Sequence, residues 1–242
     1  LVLSKSEAER ASSCLNHRDS EAYAAAHTLK RLLLTYLINK YRLVTQTVKP
    51  NELLFRQTIY GKPIVVQPSL RIDFSISHTK GAVAAIATPT NGAVCGVDIE
   101  RIFTKELDIG LEESIYTTKE IEMMNKRIGT RREILQTMNW TRKEAMLKLT
   151  GMGLSLPMKQ IGFLISGEEE DTNRKPVWIV KEGIRVRTRI EGIYCSSAAV
   201  GRLWSQYSQK EIGLNDNGAK EIILMPPAQI ATISMNELIK CS

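Results

Sequence analysis

Two long helix-forming stretches dominate this chain, and similar material follows each. "DSEAYAAAHTLKRLLLTYLINKY" (19–41) is rich in alanine and leucine, with Asp19 or Ser20 placed to cap it and Glu21 in its first turn. "RREILQTMNWTRKEAMLKLTG" (131–151) is the second helix, closed by Gly151. A Gly-flanked turn and an Ala/Val-rich strand come after each, "GAVAAIA" (81–87) and "CSSAAVG" (195–201). This echo predicts an α+β fold of two pseudo-symmetric lobes, each a long helix packed on a mostly antiparallel sheet. The turn cluster "PTNG" (89–92) marks the boundary, giving an N-terminal lobe over 1–90 and a C-terminal lobe over 91–242. A site is expected in the cleft between them.

"IDFSISH" and "GAVAAIAT" read as a hairpin around "TKG", and "YGKP" (60–63) as a tight turn holding Lys62 outward. "GAVCGVDIE" (92–100) is a strand, and "TTKEIEMMNKR" (117–127) a helix capped by Thr117 or Thr118. "GLSLPMKQIGFLI" (153–165) is expected to turn into strands. "PVWIV" and "IRVRTRI" continue the sheet, with "GIYCSSAAVG" (192–201) at its centre and "AQIATISM" (228–235) as its last member. The polar stretch 205–220 reads as a loop.

Within "CGVDIE", alternation puts Val97 and Ile99 on one face and Asp98 and Glu100 side by side on the other. Two adjacent carboxylates repel unless water separates them or a cation bridges them. On "WTRKEAMLK" (140–148), Glu144 and Lys148 are four apart and share a face, and Trp140 lies four before Glu144. Three carboxylates from a strand and a helix suit a hard divalent cation such as Mg²⁺, with Mn²⁺ as an alternative. The same spacing also fits a solvent-facing acidic pair beside an ordinary i, i+4 Glu–Lys bridge. Ser77 and His78 end a strand. They form no Ser–His nucleophile pair, since no G-x-S-x-G elbow is present. A phosphate contact needs only a donor at a strand end.

Composition narrows the partners. The 242 residues are 43% hydrophobic and 24% charged, an ordinary globular balance, and no apolar run approaches a bilayer span. "LVLSKSEAER" does not read as a secretory signal. Cys14, Cys95, Cys195 and Cys241 are far apart, with no CxxC, so a zinc site and a disulfide framework are not expected and a cytoplasmic home is. The net charge of +7 favours an anionic partner. Arg185, Arg187 and Arg189 are the densest basic stretch, but aromatics are not interleaved with them as nucleic-acid binding would want.

Taken in order, "YGKP", "FSISH", "CGVDIE" and "WTRKEAMLK" resemble the 4′-phosphopantetheinyl transferases, in the larger two-lobed type that activates surfactin and enterobactin synthetases. The resemblance runs from "AAAHTLKRLLL" to "GLSLPMKQIGF" and more loosely beyond. It implies a holo-[acyl-carrier-protein] synthase activity, moving the phosphopantetheine arm of coenzyme A onto a serine of an apo carrier protein and releasing 3′,5′-ADP. Asp98, Glu100 and Glu144 match the metal ligands. Lys148 matches the cation that steadies or protonates the leaving phosphate. Glu144, directly or through a metal-bound water, matches the base. Lys62, Ser77 and His78 fall where the family binds the nucleotide end of coenzyme A. Lys143 of the "WxxKE" pattern is expected to face phosphate, and Trp140 to pack in the core. His27 and Arg31 match an "AHxLxR" helix, either reaching the nucleotide or bracing the lobe, and Arg18 is a weaker candidate.

The resemblance further implies an acidic acyl or peptidyl carrier protein of fatty acid, polyketide, nonribosomal peptide or siderophore synthesis as partner. Neither nucleic acid nor membrane is expected, and the two lobes in one chain imply a monomer. The loop 205–220 is longer than the family's usual link, and 102–130 carries no diagnostic carrier-binding motif. A non-catalytic coenzyme A-binding scaffold is the principal rival. A nucleic-acid module leaves the carboxylates unexplained, and a Mg²⁺ phosphohydrolase leaves Lys62 and His78 unexplained.

Overall fold

The computed structural model describes residues 2–89, 92–105, 107–163, 178–181, 184–203 and 224–225. The chain opens with helix α1 (Lys5–Ser12) and helix α2 (His17–Lys40). Asn16 caps α2, its side chain accepting the Arg18 N–H, so the helix starts before the Asp19 or Ser20 expected to cap it. Asp19 instead lies in the first turn, where a carboxylate complements the helix dipole. Helix α1 has a capping box of Ser4 and Glu7 in a stretch the sequence reading had left unassigned.

Strands β1 (Leu54–Gln57) and β2 (Pro63–Gln67) pair antiparallel, as do β3 (Asp73–Thr79) and β4 (Ala82–Thr88). Apolar residues of α2 pack on these strands: Leu33, Leu34, Leu37 and Ile38 meet Leu53, Val65, Ile72 and Phe74 in one buried cluster. Strand β5 (Ala93–Arg101) then starts the larger sheet.

Three helices follow: α3 (Ile109–Ile115), α4 (Thr118–Asn125) and α5 (Thr130–Thr150). Thr117 caps α4, and Gly151 ends α5 in the left-handed region at φ 69°. Residues 153–155 and 158–160 form short 3₁₀ turns, not the strand expected from 153 onward, because Pro157 and the glycines at 151 and 153 break any extended run. Strands β6 (Trp178–Lys181), β7 (Ile184–Glu191), β8 (Tyr194–Leu203) and β9 (Leu224–Met225) complete an antiparallel sheet in the order β5-β8-β7-β6, with β9 beside β8. The fold is therefore α+β. The expected strand 228–235 and loop 205–220 lie outside the described residues.

Helix α5 packs on the sheet face that carries Val94, Gly96, Ala199 and Val186, joined by Ala145, Leu147 and Leu149 in a second buried cluster. Gly96 is the point of closest approach. A Cβ there would collide with the Ala145 carbonyl and the Leu149 amide, so only glycine lets the helix sit this low. Among the described residues, no helix is long and apolar enough to cross a membrane.

Candidate active site

Among the described residues, strand β5 has backbone pairing to β8 on one side only, and β3 meets its other edge through side chains. Residues 73, 75, 77 and 79 share one face of β3 by the two-residue period. Asp73 Oδ2 accepts the Cys95 N–H at 2.7 Å, and Ser75 Oγ accepts the Val97 N–H at 3.1 Å. Ser77 Oγ donates to Asp98 Oδ1 at 2.8 Å, and Thr79 Oγ1 donates to Glu100 Oε2 at 3.0 Å. These side chains satisfy edge amides that a neighbouring strand would otherwise serve, and the same row holds both carboxylates.

From the opposite direction, the depth of α5 over Gly96 brings Lys148 to Asp98. Its Nζ lies 2.7 Å from Asp98 Oδ1 and 2.9 Å from Ser77 Oγ. Asp98 is buried, and its second oxygen, Oδ2, has no hydrogen-bond partner among the described residues. Glu144 lies one turn before Lys148, partly buried, and interacts with Asp98, Glu100 and Lys148 through space. Burial raises the Glu144 pKa first, then the charge of Asp98, with Glu100 adding to it and Lys148 opposing. Glu100 is raised for the same first reason, burial, and by Asp98, against a Thr79 hydrogen bond and Lys148. Three carboxylates with one ammonium among them leave an excess of negative charge that a further cation would relieve.

Among the described residues, no three carboxylate, imidazole or thiol groups are already closed to metal-binding spacing. The donor set nevertheless suits a hard cation: all oxygen, one oxygen buried and unpartnered, and two carboxylates whose charged forms are disfavoured as they stand. Beside Glu100 opens a groove of about 430 Å³, lined by Ile102, Phe103, Lys105 and Leu107 among others.

Other expected site residues are placed elsewhere. Lys143 is fully buried. Its ammonium pairs with Glu120 at 2.8 Å and donates to the carbonyls of Met158 and Ile161, so it faces the core and not a phosphate. Arg31 is also buried, spent on Glu7 at 2.5 Å and on the Pro50 and Leu53 carbonyls. His27 Nδ1 contacts Glu7 at 2.9 Å, and Lys30 joins the same carboxylate at 2.8 Å. Of the two roles open to His27 and Arg31, bracing α1 against α2 is the one their contacts serve. Glu7, which sequence reading missed, is the hub, and against the cost of burial its pKa is held far below the ordinary range by side-chain hydrogen bonds to His27, Arg31 and Lys30.

Lys62 is turned inward from its tight turn. Its Nζ donates to Asp73 Oδ2 at 2.7 Å and to the carbonyls of Cys95 and Leu149 at 3.2 Å each. His78 is exposed, on the face of β3 opposite Ser77, so the two neighbours do not act on one point. Arg18 is exposed in the first turn of α2. Trp140 is partly buried, edge-on to Phe103 at 6.0 Å. Asp73 and Thr79 were also missed, although the alternation of polar residues in "DFSISHT" could have shown them.

Residues 94–192, which contain Asp98, Glu100, Glu144 and Lys148, match the family described as the 4′-phosphopantetheinyl transferase superfamily. The chain is 30% identical over 183 residues to the 4′-phosphopantetheinyl transferase gsp of Aneurinibacillus migulanus, covering 71% of this chain and 68% of that protein. It is 29% identical over 149 residues to the 4′-phosphopantetheinyl transferase psf-1 of Bacillus pumilus, covering 61% of each. The fold and the carboxylate–lysine cluster thus lie in a chain that belongs to the 4′-phosphopantetheinyl transferase superfamily, as an enzyme of that class.

Proposed function

We propose that this enzyme moves the phosphopantetheine arm of coenzyme A onto a serine of an apo acyl or peptidyl carrier protein, with Mg²⁺, and releases 3′,5′-ADP. The observation that carries the reading is the cluster of Asp98, Glu100 and Glu144 around Lys148, with Asp98 Oδ2 buried and unpartnered. Asp98, Glu100 and Glu144 would hold the Mg²⁺, which when bound supplies charge neutralisation and polarisation at the pyrophosphate. Glu144, whose surroundings raise its proton affinity, accepts the proton of the serine hydroxyl, directly or through a water. The serine oxygen bonds to the β-phosphorus, and the bond from that phosphorus to the bridging oxygen breaks. Lys148 steadies the departing 3′,5′-ADP phosphate by charge and can donate a proton to it. Ser77 holds Asp98 and Lys148 together through this exchange.

The groove beside Glu100, part apolar and part basic, is the reading's place for the arm and the approaching acidic carrier protein. Cys14, Cys95 and Cys195 are free thiols, which agrees with a cytoplasmic enzyme. The two helix-and-sheet units, divided near residue 90, are read as lobes of similar plan in a monomer.

Intact-mass spectrometry of several apo carrier proteins, incubated with the enzyme, coenzyme A and Mg²⁺, tests the proposal. The expected result is a gain of one phosphopantetheine arm, lost with EDTA and in Glu144→Ala. Binding of coenzyme A without modification of any carrier would favour the non-catalytic scaffold instead.

A further inference from the structure

The β3–β4 hairpin ends beside Glu100, and a residue from a distant strand holds its tip. Thr79 and Ala82 are the last pair of that ladder, so Lys80 and Gly81 form a two-residue turn, with Gly81 at φ 85°. Both turn residues are exposed, and the ladder supplies no bond beyond Thr79 to stiffen them. Tyr194, at the start of β8, supplies one from outside: its hydroxyl donates to the Lys80 carbonyl at 3.1 Å. The fit is close, because a Cβ on Gly81 would stand 2.6 Å from that hydroxyl oxygen. Glycine therefore serves twice here, allowing the left-handed turn and leaving room for the phenol.

Strand β8 pairs with β5 as Tyr194 with Arg101 and Cys195 with Glu100. Glu100 and its partner Cys195 lie on the α5 side of the sheet, so Tyr194 leaves β8 on the opposite face. From there it spans β5 at its last ladder pair to reach the turn that follows Thr79. Thr79 in turn donates to Glu100 Oε2 at 3.0 Å. That bond has work to do: Glu100 is half-buried near the like charge of Asp98, and it also lines the open groove, where its side chain has a second place to go. We infer that Tyr194 is a positioning residue, fixing the Lys80 carbonyl so that the Thr79 hydroxyl stays on Glu100 and keeps this carboxylate with Asp98 and Glu144, out of the groove. The inference rests on the transferase reading above, in which those three carboxylates hold Mg²⁺.

The experiment uses Tyr194→Phe, which keeps the ring and removes the hydroxyl alone. Mn²⁺ binding is measured by paramagnetic resonance on the enzyme with coenzyme A and no carrier protein, so nothing turns over. The expected result is a Kd for Mn²⁺ weaker by about three- to tenfold, a step short of the roughly ten- to hundredfold usual for a group that touches a metal ligand directly. In transfer assays the Mg²⁺ concentration giving half the maximal rate should rise by the same factor, with kcat at saturating Mg²⁺ within about twofold of wild type. Thr79→Val should weaken Mn²⁺ binding by about ten- to a hundredfold, and adding Tyr194→Phe to it should weaken it no further, since Tyr194 acts through Thr79. Full additivity of the two losses would overturn the inference, and so would a lower melting temperature with unchanged Mn²⁺ affinity. Should Tyr194→Phe not fold, Gly81→Ala decides by the same Kd, because its methyl forces the hydroxyl off the turn; wild-type affinity there overturns the inference. If neither folds, the contact serves stability and the positioning claim falls. A wild type that modifies no carrier would instead sink the transferase reading, whereas wild-type transfer with unchanged Mn²⁺ affinity in Tyr194→Phe sinks this inference alone.

Discussion

Lys148 and Asp98 come from a helix and a strand that are fifty residues apart in the chain, yet their charged atoms meet at 2.7 Å with Ser77 bonded to both. Because Asp98 is buried and Lys148 only partly so, the pair is a desolvated carboxylate presented to a cation at the site's edge. Lys148→Met is expected to lower kcat by roughly 10²–10³-fold, the usual cost of losing one preorganised charge at a transferring phosphate. Mn²⁺ binding, read by paramagnetic resonance, should be retained or tightened in the same variant, since Asp98 Oδ1 loses its competing ammonium. Loss of metal binding along with activity would instead make Lys148 a structural support for the carboxylates.

The Lys143–Glu120 pair separates the two neighbours of the "KE" motif by role. Glu120 also accepts the Phe163 N–H at 2.7 Å and caps α4 with Thr117, so the pair joins α4, α5 and the 158–163 segment. Lys143→Met leaves a buried carboxylate without its cation and should destabilise the fold by about 3–5 kcal/mol. Adding Glu120→Gln removes that charge and should recover a large part of the loss, since Gln keeps an oxygen for the Phe163 amide. Chemical denaturation of the single and double variants measures this. KM for coenzyme A should not move in either, and a rise there would return Lys143 to the phosphate.

Much of this was legible from spacing. The glycine at 151, the Thr117 cap and the "IDFSISH" hairpin all sit where local rules put them, because turn and cap chemistry acts over a few residues. The pairing of Glu144 with Lys148 on one helix face and of Asp98 with Glu100 on one strand face follows from two periods. What the sequence did not reveal is tertiary. Lys62 and Lys143 read as cations facing phosphate, and Arg31 as one that either reaches the nucleotide or braces the lobe; which acceptors each of them meets, far away in the chain, no local pattern shows. A lysine's long stem lets it turn inward or outward from the same backbone position, so sequence pattern alone cannot decide which. Glu7 was missed for the converse reason: a capping-box glutamate looks local until α2 brings His27, Lys30 and Arg31 to it.

That glutamate makes a stability prediction with a definite sign. The folded pKa of Glu7 is lowered, chiefly by His27, Arg31 and Lys30 outweighing burial. Its contribution is therefore fully present above the ordinary glutamate pKa and is lost as pH falls below that value toward the folded one. Melting temperature should drop steeply on acidification below the ordinary carboxylate range. Glu7→Gln should lower it at neutral pH, where Lys30 and Arg31 stay buried without their anion, and should flatten the acid limb. An acid limb of the same slope in the variant would assign acid unfolding to other carboxylates.

Gly96 tests whether the closeness of α5 to β5 is what builds the site. Nothing at this position is charged or polar, and the residue touches no expected substrate. Yet a methyl group there meets the Ala145 carbonyl and the Leu149 amide, both backbone, so neither can rotate out of the way. Helix α5 must rise from the sheet, and Glu144 and Lys148 rise with it while Asp98 and Glu100 stay on β5. Gly96→Ala should cost about 1–3 kcal/mol as an overpacked contact. Its kcat should fall by far more than that loss would suggest at a temperature where the variant is fully folded, because a displacement near 1 Å costs roughly 10²-fold in a positioned reaction. Circular dichroism confirms folding, and transfer kinetics at low temperature give the rate. A folded Gly96→Ala with wild-type kcat would show that the Asp98–Lys148 contact tolerates a raised helix, and that the depth of α5 serves packing alone.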